Sequence, residues 1–263
     1  MLRVALVGGA FFVSLPFMVA LQWLQATLRS PFWGPASVAY YRFLRSILRI
    51  NVHVRGELVR GRPVLIVANH VSWVDIVVLA SIAPMVFVAK REVSTWPLIG
   101  AAAKVQKVVF VDRVRRQQTG ATVSEIGQRL AEGHPVVLFA EGTSSDGNRV
   151  LPFRSALIGG AEAACREAGL GEVTLQPMAM TYVSQNGVPM GRGKRPLVAW
   201  YGDLDFFPHM AAFMRGGIVD AVVSFGAPVA AGAEADRKSV AKSLETQVRA
   251  MMTGVLRGRG EAA

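Results

Sequence analysis

The 263-residue sequence has one cysteine, Cys165, so no disulfide can close within the chain and no multi-cysteine metal site is available. Its four histidines, His53, His70, His134 and His209, are dispersed, without the i, i+4 pairing of a helical metal site. No G-x-S-x-G nucleophile elbow occurs; Gly142-Thr-Ser-Ser-Asp-Gly147 has the wrong spacing. A Walker-type glycine loop, a dinucleotide fingerprint, an internal repeat and a low-complexity linker are likewise absent. Charge is sparse, at 18% of residues against 52% hydrophobic, which excludes a disordered or collagen-like chain. Acids are outnumbered 18 to 29, for a net charge of +11. The length suits one domain, or one domain with an appendage.

What is present is unevenly spread. The first 62 residues hold eight Arg, no Lys and one Glu, so seven of the eleven net positives lie there. Within that quarter, Val4 to Leu24 has no charged residue at all. As a helix it would cover roughly 30 Å, about one hydrocarbon core, with Pro16 predicted to kink it. A cleaved signal peptide would have a shorter apolar run and a small-x-small site after it, and a core helix would show a polar stripe. Next come Trp33, Tyr40, Tyr41, Phe43, Leu44, Ile47 and Leu48, interleaved with Arg42, Arg45 and Arg49 on one helical face. Either this is a solvated basic face or, as the preceding run favours, a helix at a lipid headgroup boundary. Residues 1–50 therefore read as a membrane-binding helical hairpin, with anionic headgroups as partners and the cytoplasmic face as its side. Nucleic acid is not the expected partner, because no recognised binding motif accompanies the basic patch.

Residues 51–263 alternate short β-branched runs with helical stretches, which argues an α/β sheet flanked by helices. Strands are predicted at Val64–Ala68, Val86–Ala89, Val108–Val111, Val136–Phe139, Val173–Tyr182, Leu197–Trp200 and Val219–Phe225. Helices are predicted at Val74–Ser81, Pro97–Gln106, Gln117–Ala131, Ser155–Ala168, Phe207–Arg215 and Glu234–Met252, and Ser184–Arg195 reads as a surface loop. Nothing in these residues specifies an oligomeric state.

The sharpest feature follows the first strand, where Asn69 and His70 leave an apolar run and Asp75 comes five residues after the histidine. Catalytic groups often sit beyond the carboxyl ends of strands in such sheets. A carboxylate about one turn into the next helix can accept the imidazole N–H and leave the other nitrogen as a base. A structural His–Asp pair is the plainer reading. A second loop, Phe139-Ala-Glu-Gly-Thr-Ser-Ser-Asp-Gly147, is rich in turn formers and hydroxyls and can offer N–H groups to an anion, or be only a polar connection. Lys90 and Arg113 each follow a strand. Taken singly they are surface charges, but on a mostly parallel sheet they would converge on one rim and suit an anionic substrate. A His–Asp base without its own nucleophile leaves a substrate hydroxyl to play that part.

These residues resemble the glycerolipid acyltransferase family, the 1-acylglycerol-3-phosphate O-acyltransferases and their relatives. Its N-H-x4-D motif is Asn69, His70 and Asp75; its E-G-T-R motif is Glu141, Gly142 and Thr143, with Ser144 in place of the arginine. Its G-x-x-F-I-D-R motif is Phe110, Val111, Asp112 and Arg113, with Lys107 in place of the glycine, and its strand proline is Pro177. Lys90 and Trp96-Pro-Leu-Ile-Gly100 are also family-like, and the likeness runs from about Val52 to Val229.

The resemblance implies a mixed, largely parallel sheet of the glycerol-3-phosphate acyltransferase kind. It also implies acyl transfer from an acyl-CoA or acyl carrier protein thioester to a lysolipid hydroxyl, with no cofactor and no metal. His70 and Asp75 are the implied catalytic pair; Lys90, Arg113, Glu141, Gly142, Thr143 and Arg154 are implied to bind substrate. Arg154 is the first candidate to replace the cation missing at Ser144. Phosphatidic acid as the product is the leading expectation, and acylation of a lyso-ornithine lipid the alternative. An inactive lipid-binding protein of the same fold and a lipid hydrolase are readings of a different class.

Overall fold

The computed structural model describes residues 2–28, 30, 32–111, 119–170, 173–230 and 236–258. Helix α1 (Leu2–Thr27) and helix α2 (Trp33–Ile47) pack against each other and lead into strand β1 (Ile50–Arg55). There follow β2 (Val64–Ala68), α3 (Val74–Ala80), β3 (Val86–Lys90), α4 (Ile99–Val105), β4 (Val109–Val111), α5 (Thr119–Ala131) and β5 (Val136–Phe139). The second half is α6 (Ser155–Glu167), β6 (Thr174–Gln185), β7 (Val188–Pro189), α7 (Phe206–Arg215), β8 (Val219–Phe225), β9 (Val229–Ala230) and α8 (Arg237–Leu256).

The strands form one mixed, largely parallel sheet in the order β1-β8-β6-β2-β5-β3-β4, with β7 and β9 added to β6. From β6 through β2, β5 and β3 to β4 every neighbouring pair is parallel, whereas β6 runs antiparallel to β8. The carboxyl ends of β2, β3, β4, β5 and β6 therefore lie on one rim, as the sequence reading required. β2 is buried along its whole length because both sheet faces are covered, which is why it reads as an unbroken apolar run. Its side chains alternate: Val64, Ile66 and Ala68 join the core under α1, α2, α3 and α7, while Leu65 and Val67 join the core under α5, α6 and α8.

Pro177 sits inside β6, where a missing N–H would normally be costly. Pairing with β9 ends at Leu175 and pairing with β8 starts at Met178, so the proline falls in the gap between the two ladders. Its carbonyl still accepts from Gly226 N at 2.8 Å.

Three readings are corrected here. Leu197–Trp200 is not a strand. Pro196 opens a 3₁₀ turn at Arg195–Leu197, and Val198 and Ala199 are buried without joining the sheet. A four-residue apolar run carries no periodicity that separates strand from buried turn. β1 was overlooked, although Ile50, Val52 and Val54 alternate with Asn51, His53 and Arg55, and it begins one residue before the anticipated boundary at 51. Within Ser184–Arg195, the chain makes the β6–β7 hairpin, and Arg195 ends buried rather than on the surface.

The N-terminal helices divide their faces. Phe11, Leu15, Met18 and Gln22 of α1 face the protein, while Leu6, Val13, Phe17, Leu21 and Leu24 are exposed, Phe17 by 72%. α1 is long and apolar enough to cross a membrane. On α2, Trp33, Leu44 and Leu48 are buried rather than displayed, and Arg42 Nε donates to Ser81 O at 3.2 Å, at the C-terminus of α3. Arg42, Phe43 and Arg49 are the exposed members of the aromatic and basic pattern.

Candidate active site

β2 delivers Asn69 and His70 to the rim. Asn69 is fully buried and grips β6 twice: its Nδ2 donates to Met180 O at 3.0 Å and its Oδ1 accepts from Met180 N at 2.8 Å. Because hydrogen bonds to both the N–H and the C=O of one residue fix both chains, the next residue has a defined exit direction. That residue is His70, whose ring stacks on Phe139 at the end of β5, centroids 4.0 Å apart.

The chain then turns into α3, which brings Asp75 back to His70. The distance from His70 Nδ1 to Asp75 Oδ2 is 2.8 Å. An ionised carboxylate only accepts, so Nδ1 carries the proton and Nε2 keeps a lone pair. Oδ2 also accepts from the backbone N–H of Val71 at 2.7 Å and of Ser72 at 3.0 Å. Oδ1 accepts from Tyr182 Oη at 2.7 Å, across from β6. Asp75 is fully buried, whereas the His70 side chain keeps about a fifth of its surface open. The imidazole is thus held through Nδ1 while part of its surface stays open.

Glu141 follows β5 and is 2% exposed. Its Oε2 accepts from His70 N at 3.1 Å and its Oε1 from Leu151 N at 2.8 Å, so the carboxyl is turned inward and braces the histidine loop. Burial pushes this carboxyl up to about 8, against the pull of those two N–H groups, and nearby Asp75 adds to the rise. Ser145 N completes the brace by donating to His70 O at 2.9 Å.

Gly142 takes a φ of 70°, a conformation in which a side chain is strained. A Cβ there would also lie 2.8 Å from Arg154 Nε, so the glycine leaves room for Arg154 to cross the turn. Arg154 and Thr143 are exposed beside it. Ser144 bonds through Oγ to Trp200 O, and Trp200 N donates to Val71 O at 2.9 Å. The residue standing where the family has arginine therefore clasps a neighbouring segment to the histidine loop.

Asp146 would be raised by burial, but Asn148 donates to it through N and Nδ2, at 3.0 and 3.1 Å, and with Arg149 holds it below the ordinary carboxylate range. Asn148 in turn accepts from the buried Arg195 at 2.7 Å.

Lys90 is exposed at the carboxyl end of β3, on the same rim and separated from β2 by β5 alone, roughly 10 Å across two strand spacings. Arg113 and Asp112 lie outside the described residues. Sequence reading missed Tyr182, Phe139 and Trp73. Trp73 follows the histidine loop, donates through Nε1 to His209 Nδ1 at 3.1 Å, and touches Phe206 and Phe213. Among the described residues no group of three or more His, Cys, Asp or Glu is placed to hold a metal ion.

An imidazole oriented by a buried carboxylate can accept a proton from a substrate hydroxyl. The comparisons agree in kind. A family model described as Acyltransferase matches residues 49–181. The chain is 43% identical to a lyso-ornithine lipid O-acyltransferase of Brucella abortus, over 98% of this chain and 97% of that protein. It is 36% identical to a 1-acyl-sn-glycerol-3-phosphate acyltransferase of Neisseria gonorrhoeae, over 37% of this chain and 41% of that protein. A solved structure of a 1-acyl-sn-glycerophosphate acyltransferase from Thermotoga maritima superposes with a TM-score of 0.66 at 19% identity, covering 97% of this chain and 93% of that one, a likeness of fold. The chain belongs to the Acyltransferase family and is an acyltransferase.

Proposed function

We propose that the chain moves a fatty acyl group from a thioester, acyl-CoA or acyl carrier protein, to the free hydroxyl of a lyso-ornithine lipid. The observation that carries the acceptor is the match to a lyso-ornithine lipid O-acyltransferase along essentially the whole chain, where the glycerophosphate enzyme matches over little more than a third. The motifs resemble both acceptor classes, and breadth of family use alone ranks the glycerophosphate acceptor first; the full-length match supports the opposite order. The loop chemistry is compatible. An ornithine headgroup presents a carboxylate and an ammonium; Arg154 beside Gly142 suits the first, and the ionised Asp146 suits the second.

In this reading His70 Nε2 takes the hydroxyl proton and the oxygen attacks the thioester carbonyl. The tetrahedral oxyanion collapses with loss of the thiolate, which takes its proton from the imidazolium. Asp75 holds the tautomer throughout. The exposed face of α1 attaches the enzyme to the membrane that holds its lipid, with the catalytic domain on the cytoplasmic side of a bacterial plasma membrane, where the soluble thioester is met.

The test is a competition between lyso-ornithine lipid and lysophosphatidate for one acyl thioester. Preferential acylation of the ornithine lipid is expected, and Asp146→Asn should narrow the preference. Exclusive use of lysophosphatidate would overturn the acceptor and leave the transfer chemistry standing. Thiol release without any lysolipid would mark a hydrolase instead, and none with either lysolipid an inactive lipid binder.

A further inference from the structure

Asp75 is buried and accepts from four donors. Three of them, His70 Nδ1 and the N–H groups of Val71 and Ser72, converge on Oδ2 and come from its own turn of chain. Oδ1 is met by Tyr182 Oη, from a strand 107 residues away. Tyr182 is itself 2% exposed. The register between β6 and β8 shifts between Tyr182 and Ser184, and such irregularities re-aim side chains beside active sites. Burial, and then Asp75, push the phenol well above its ordinary range, so it stays a donor at every working pH.

We propose that Tyr182 is a positioning residue of the transfer reaction: its hydroxyl locks the Asp75 carboxylate in the rotamer that presents Oδ2 to His70 and draws charge away from it. Two consequences follow. Without the hydroxyl, Oδ1 is a buried acceptor left bare, and the carboxylate loses one of its constraints. It also carries more charge toward the imidazole, which favours imidazolium, so His70 becomes a free base only at higher pH.

The inference rests on His70 acting as the base. Among the described residues the titratable groups at this corner are His70 from the end of β2, Asp75 from α3, Tyr182 from β6 and Glu141 from the end of β5, with Arg249 of α8 acting on Glu141.

The experiment measures kcat, both KM values and the pH profile of kcat/KM for the full-length wild type and Tyr182→Phe, with His70→Ala alongside. In Tyr182→Phe, kcat should fall about tenfold to a hundredfold, as for a lost bond to a charged group. Both KM values should stay within about twofold, and the acid limb should move up by about half a pH unit or more. A role in packing alone would lower thermal stability and leave that limb in place. Replacing Tyr182 with a ring-fluorinated tyrosine, a stronger donor of nearly the same shape, should move the limb down instead. This arm decides the matter if the phenylalanine variant does not fold. A limb unmoved in the fluorinated protein, or wild-type kcat and pH profile in folded Tyr182→Phe, overturns the role of Tyr182. If His70→Ala keeps its activity, the base assignment falls first, and the inference with it.

Discussion

The corner around His70 and the helix α1 are built on opposite terms. At the corner, Asn69, Asp75 and Glu141 are buried and every one of their side-chain oxygens is bonded, so polar atoms fix the geometry. On α1, Leu6, Val13 and Phe17 stand exposed while Gln22 is buried with neither amide atom bonded among the described residues. A soluble protein is stabilised by the reverse arrangement. The difference teaches that the two regions are built for different surroundings: buried polar partners hold the corner, while α1 presents an apolar face of the kind that suits the proposed lipid contact.

The largest effect should come from breaking the corner at its reactive end. His70→Ala removes the base while leaving Asn69 and the sheet in place, and should lower kcat by about 10²–10⁴-fold or more without loss of folded protein. Activity within threefold of wild type, in protein with an unchanged circular dichroism spectrum, would end the base assignment.

Glu141→Gln tests whether the bracing carboxyl matters as much as the reacting group. An amide must set its NH2 against the backbone N–H of either His70 or Leu151, a loss of about 1–3 kcal/mol. The pH dependence has a definite sign. A carboxyl whose folded value is raised from 4.5 to about 8 gives stability present below 4.5 and lost as pH rises toward 8. The wild type carries that loss and the glutamine variant does not. The gap between their melting temperatures should therefore shrink from pH 5 to pH 8; parallel curves would contradict it.

On the other side of the comparison, Phe17→Lys with Leu21→Lys should weaken binding to lipid vesicles. Each apolar side chain removed from the lipid forfeits about 2 kcal/mol, while activity on detergent-dispersed substrate should hold within a few fold. Unchanged vesicle sedimentation would argue that another surface meets the membrane.

How much of this was legible beforehand follows the same division. Asn69, His70 and Asp75 could be read because five residues separate the histidine from its carboxylate, a spacing that one turn of chain closes. The parallel rim followed from strand–helix alternation. Tyr182 could not be read, since its partner lies 107 residues away and nothing in its own strand points to it. Glu141 was read as facing substrate because its motif says nothing of which way a side chain turns, and backbone donors turn it inward. Arg42 was read as part of a basic face; it is exposed there, and its Nε also donates to the C-terminus of α3, a contact that helical spacing does not reveal.

The smallest effect concerns a residue outside both regions, between α2 and the turn after α5. Lys107 stands where the family motif has glycine, and its φ of 59° explains the glycine, because a left-handed residue with a side chain is strained by about 1–2 kcal/mol. The lysine is held there by partners from both of these elements. Its Nζ lies 4.8 Å above the ring of Trp33 at the start of α2, 3.2 Å from Glu132 and 2.8 Å from His134 Nε2. A half-exposed cation–ring contact and ion pair contribute roughly 0.5–1 kcal/mol each. Strain and contacts thus nearly offset, and Lys107→Gly should change stability by less than about 1 kcal/mol, which is a shift of a few degrees in Tm. The informative reading is salt. The wild type should lose part of its stability between low and high ionic strength as the Lys107–Glu132 attraction is screened, and the glycine variant should lose less. A drop beyond about 2 kcal/mol would show that the contacts outweigh the strain, making Lys107 a principal tie between α2 and the sheet. An unaltered salt slope would show that they contribute nothing, leaving α2 attached through buried side chains such as Trp33 and Leu44 and through bonds such as Arg42 Nε to Ser81 O.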